Sequence, residues 1–135
     1  MNKKSLEKRG EEAIINSDIS AVQLIGEVKN GYSPLWPFIK YNLAITREAF
    51  ASLVGYHRNS VSLWEKKLTE IPVLYKQYWD GVPRGKYLNW YQIVILSVIA
   101  FIKKDYRGHS ITKLLRSLAL KLEKNMMRER IDVYF

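Results

Sequence analysis

Apolar positions recur along most of this chain at the spacing that places side chains on one face of a helix. Ile19, Val22, Leu24, Ile25 and Val28 mark an amphipathic helix over Asp18 to Lys29, with Ser17 or Asp18 as its cap and Asn30-Gly31 as its stop. Ser33-Pro34 opens a second helix, because a proline at the first helical position gives up an N–H that has no partner there. Trp36, Ile39, Tyr41 and Leu43 form its apolar surface, and it ends before Thr46. Two short helices follow between Thr46 and Lys67, the first with Phe50, Leu53 and Val54 on one face and the second with Val61 and Trp64. Gly55 interrupts them, where a tight turn often asks for φ > 0. Another helix is expected to start at Pro72.

The second half reads differently. From Leu88 to Lys104 the chain is apolar on all sides, and a helix of that kind must be covered by its own protein or by a second subunit. Its isoleucines and valines make strand the rival reading, but its length favours helix. Ser110 caps a helix from Ile111 to about Asn125. Ile111, Leu114, Leu115, Leu118 and Leu122 form its stripe, with Lys113, Arg116, Lys121 and Lys124 opposite. Asp80 to Lys86 concentrates glycine, proline and charge, and reads as a loop or linker between residues 13–79 and a helical hairpin at 87–126, which can still pack as one domain. Residues 1–12 hold few large apolar side chains and are expected to fray unless a partner orders them. Ile131, Val133 and Phe135 alternate, and read equally as a docked arm or a free tail. The fold class is all-α.

The stretch Thr46 to Lys67 carries more than periodicity. Thr46 can cap its helix through the side-chain oxygen, Ala51 is small where a second helix must cross closely, and Gly55 follows four residues later. With Glu48, Phe50, Val61, Ser62, Trp64 and Glu65, these residues match the helix-turn-helix pattern of Cro/repressor-type (XRE-like) DNA-binding proteins. The stretch resembles that family over 22 of 135 residues. Two positions depart from the pattern: His57 stands where Ser or Thr usually caps the recognition helix, and Lys67 where glycine commonly ends it. The resemblance implies a helix-turn-helix core, to which the helical hairpin at 87–126 is an addition.

Charge points the same way. Lys and Arg number 22 against 13 Asp and Glu, a formal net charge of +9, which favours polyanionic partners, nucleic acid before anionic membrane. Nine basic and three acidic residues fall between Lys103 and Arg130, either as a solvated face or as a second surface for phosphates. Cysteine is absent, which excludes disulfides and thiolate metal sites. No secretory signal is evident, and the longest apolar run, Ile93 to Ile102, falls well short of the ~20 residues that cross a bilayer. A cytoplasmic protein, associated with the nucleoid when bound to DNA, is expected. His57 and His109 lie far apart and in no metalloprotease, phosphate-loop or nucleophile-elbow motif, so no catalytic, cofactor or metal site is assigned.

If residues 57–66 enter the major groove in the geometry the resemblance implies, Arg58, Asn59, Ser62 and Leu63 face the bases, since Val61 and Trp64 must face the core. Arg58 suits guanine O6 and N7, Asn59 suits adenine N6 and N7, and Ser62 and Leu63 add a hydrogen bond or a thymine-methyl contact. Thr46, Arg47, His57, Lys66 and Lys67 are the phosphate candidates. The expectation is a sequence-specific binder of double-stranded DNA, a transcriptional regulator. The alternatives are an accessory factor of a mobile element or a protein–protein adaptor built on the same scaffold. No small-molecule ligand is evident. A homodimer is expected through residues 88–125, because one apolar stripe at Leu114–Leu122 does not cover a helix that is apolar all round.

Overall fold

A computed structural model describes residues 20–81, 85–106, 108 and 110–129. The order is α1 (Ser20–Gly31), a 3-10 turn (Ser33–Leu35), α2 (Trp36–Lys40), β1 (Ile45–Thr46), α3 (Arg47–Val54), α4 (Arg58–Lys67), a 3-10 turn (Leu68–Glu70), α5 (Pro72–Trp79), β2 (Tyr87–Leu88), α6 (Trp90–Asp105), α7 (Ile111–Leu118) and α8 (Lys124–Glu129). The expected cap at Ser17 or Asp18, Ile19, the first twelve residues, His109 and the alternating C-terminal residues lie outside the described residues, as do the side chains of Val22 and Leu24. The class is all-α, with one short antiparallel pair, Ile45 opposite Leu88 and Thr46 opposite Tyr87.

α6 is the axis of the molecule. Every residue from Trp90 to Ile102 is buried, and α1, α2, α3, α4, α5 and α7 all pack on it. The helix that is apolar on all sides is thus covered within one chain, and the stretches on either side of residues 80–86 share one core. Its polar groups are satisfied internally, as burial demands. Asn89 and Gln92 form a reciprocal capping box, the Gln92 amide also donates to the Tyr78 carbonyl at 3.2 Å, and Ser97 Oγ donates to the Val94 carbonyl at 2.8 Å. The Tyr91 hydroxyl donates to the Leu122 carbonyl at 2.6 Å, fastening the chain beyond α7 to α6. Among the described residues no helix is long and apolar enough to cross a membrane.

Four local expectations are corrected. Ser33 does not cap a helix starting at Pro34; the chain takes a 3-10 turn there, and α2 begins at Trp36, whose indole N–H donates to the Lys29 carbonyl at 2.9 Å. α2 then stops at Lys40, and Asn42 turns the chain at φ 52°, so Tyr41 and Leu43 are exposed while Leu35 takes a core position. On α3 the buried face is Phe50, Ala51 and Val54, with Leu53 on the outer side. The expected helix from Ile111 to Asn125 is split: α7 ends at Leu118, whose carbonyl accepts from Lys121 and Leu122 in a turn. The Glu123 carboxylate then accepts from the Asn125 and Met126 amides and starts α8. The stripe holds through Leu114, Leu115 and Leu118, and Leu122 remains buried through the turn.

A candidate nucleic-acid interface on the second helix of the pair

Thr46 has extended backbone and its hydroxyl oxygen accepts from the Ala49 amide at 3.1 Å, so α3 is capped by the residue its chemistry suggests. Gly55 closes α3 at φ 80°, ψ 28°; its amide donates to Ser52 and the Tyr56 amide to Ala51, the paired bonds that finish a helix through a left-handed residue. His57 supplies the next cap, its Nδ1 accepting from the Asn59 amide at 3.2 Å in place of a hydroxyl. At the far end α4 runs beyond Lys67 into the 3-10 turn, which does the work of the missing glycine.

One face of α4 is core and the other is open. Val61 and Trp64 are fully buried, and Trp64 meets Tyr56 edge to face at 5.0 Å with the Lys103 ammonium over both rings. Arg58, Asn59, Ser62, Leu63, Lys66 and Lys67 are exposed. Residues 58, 59, 62, 63 and 66 are spaced as neighbours on one helical face, so the four expected base-reading residues form one continuous surface with a lysine at its end.

Of the expected phosphate ligands, Arg47 faces inward instead. Its Nε and Nη2 donate to the two Glu65 carboxylate oxygens at 2.8 Å each, and Nη1 donates to the Gly85 carbonyl. The guanidinium also lies over the Trp79 ring, and the pair's side chains are only 11% and 12% exposed. Hydrogen bonding to Glu65 raises the Arg47 pKa above its already high value. Glu65 also accepts from the Tyr78 hydroxyl at 2.8 Å, and burial first, then the Glu65 charge, pushes that hydroxyl well above its ordinary pKa. Arg47 is therefore a brace across α3, α4 and α5, and it leaves the set of phosphate candidates. Thr46 and His57 use side-chain acceptors as caps, whereas Lys66 and Lys67 remain exposed on α4.

Sequence reasoning missed the neighbour of this surface. Gly85 and Lys86, read as part of a linker, line a cleft of about 680 Å³ together with Thr46, Arg47, Glu48 and Arg58. They are brought there by the β1–β2 pairing across some forty residues of sequence. Two residues per strand give no periodicity to detect, so Thr46, Arg47 and Arg58 are candidates in the sequence while Gly85 and Lys86 are not. Among the described residues no group of His, Cys, Asp or Glu side chains is placed to hold a metal ion. Comparison with protein-family models, curated proteins and solved structures gives no match to this chain.

Proposed function

We propose that the protein binds double-stranded DNA in a sequence-dependent way, reading the major groove with the outer face of α4, and that it serves as a transcriptional regulator. The observation that carries this reading is the two-sided character of α4. Val61 and Trp64 are sealed in the core while Arg58, Asn59, Ser62 and Leu63 stand exposed at the reading end. Arg58 supplies a planar fork for guanine and Asn59 an amide for adenine. Lys66 and Lys67 follow as phosphate contacts, and the net charge of +9 draws the chain to a polyanion. The brace formed by Arg47, Glu65 and Tyr78 holds α4 at a fixed angle, and positional precision is what base reading requires.

Selection of duplexes from a random pool at two salt concentrations tests the reading, with enrichment of one motif as the expected result. Arg58→Ala and Asn59→Ala should each weaken binding to that motif by about 1–3 kcal/mol and relax preference at one base pair. Variants that select the same motif with unchanged affinity would remove α4 from the reading role. An adaptor reading draws on the exposed Leu63 within the same surface and on Leu53, exposed on α3. It predicts duplex affinity no greater than the charge alone provides, with no motif enriched.

A further inference from the structure

We infer that the segment around Lys86 is a second DNA-contacting element, in which Lys86 takes a backbone phosphate beside the bases that Arg58 reads. The inference rests on the DNA-binding reading and adds to it a contact from outside the helical pair. Three features place it. Tyr87 pairs with Thr46, the residue that caps α3, so the segment is clamped to the start of the helical pair. The Gly85 carbonyl accepts from Arg47, which is itself gripped by Glu65 of α4, so one side chain ties the segment to the reading helix. Lys86 is exposed and opens onto the same cleft as Arg58.

The charges in that cleft sort by partner. Arg47 is neutralised by Glu65, which among the described residues lining the cleft leaves the cations of Arg58 and Lys86 with the carboxylate of Glu48. Lysine is a compact point charge without the planar fork that reads a base edge, and it suits phosphate. The major groove is about 12 Å wide, so a residue held beside the reading helix, off its axis, meets a strand backbone rather than base edges. Glu48, in the first turn of α3, would lie near that phosphate and oppose it.

The test uses the full chain and the duplex obtained by selection. Each phosphate contact contributes about 0.9 to the slope of log affinity against log salt. Lys86→Ala should therefore keep the selected motif but lose about 3.5-fold less affinity than wild type when salt rises from about 50 to about 200 mM. Glu48→Gln should bind more tightly than wild type. A duplex carrying one neutral methylphosphonate at the contacted position should weaken wild type and leave Lys86→Ala unchanged. Equal salt slopes for wild type and Lys86→Ala, or equal methylphosphonate losses at every position, would overturn the contact while leaving α4 as the reader. Loss of all salt-dependent duplex binding by the wild type would remove both. Selective binding of an acidic protein, with no phosphate dependence, would assign the cleft to a different partner and overturn the inference as well.

Discussion

Gly55 and Gly26 show how backbone conformation, rather than space, decides what a residue position tolerates. A Cβ built on either would meet no atom within 4 Å, yet Gly55 sits at φ 80° and Gly26 lies within α1. A β-branched side chain in the left-handed region is strained whatever the room around it, at a cost on the order of 1–3 kcal/mol. Gly55→Val should therefore lower the melting temperature clearly, and Gly26→Ala should raise it slightly, since alanine is favoured over glycine in a helix by about 1 kcal/mol. Thermal melts of the two variants check the pair of signs, and a Gly55→Val protein that melts with wild type would remove the turn from the account. His57 makes a related point. The pattern of hydroxyl caps gives no reason to expect an imidazole there, but a ring nitrogen two residues before an orphan amide accepts as an oxygen would.

At the scale of elements, the paired helices were legible because their signals are local: a cap at Thr46, a left-handed glycine, and Val61 and Trp64 three residues apart. The start of α5 at Pro72 and the burial of α6 were legible for the same reason. The brace was not, since nothing local distinguishes an arginine that meets phosphate from one that meets Glu65, 18 residues away. Nor was the end of α7, where helical periodicity continues past Leu118 while the Glu123 carboxylate and the Tyr91 bond to Leu122 set up a turn and a new start. The brace carries its own expectation. Glu65→Ala leaves a nearly buried guanidinium without its carboxylate and the Tyr78 hydroxyl without its acceptor, and breaking a buried pair in this way costs about 3–5 kcal/mol. Glu65→Gln keeps an acceptor and should lose less. Denaturant unfolding measures both, and equal stability of Glu65→Ala and wild type would show that the pair holds nothing in place.

For the whole molecule, one core means that events at its buried tyrosines are global. Burial pushes the hydroxyls of Tyr32, Tyr78 and Tyr91 above their ordinary pKa, Tyr32 to about 12. In the unfolded chain they ionise near the ordinary value of about 10. The folded state thus holds protons that the unfolded state gives up, and stability that is complete below about pH 10 falls as pH rises toward the folded values. Melting temperature should be flat on approach to pH 10 and then drop, with buried tyrosinate absorbance appearing together with unfolding. Ionisation of these tyrosines well before unfolding would break the link. The same core bears on assembly. The expected homodimer through residues 88–125 requires an uncovered apolar helix, and α6 is covered on every side by its own chain. Among the described residues of that region Leu120, after α7, is the large exposed hydrophobic, and Tyr87 stands just outside it, before α6. Two such side chains are far from the ~800 Å² per partner that a specific interface buries. The mass from light scattering on the full chain in the absence of DNA should therefore be unchanged by Leu120→Lys, because this face offers too little apolar surface to join two copies. A dimer that persists on dilution, and is lost when Leu120 is replaced by lysine, would place an interface on this face after all and reverse the conclusion.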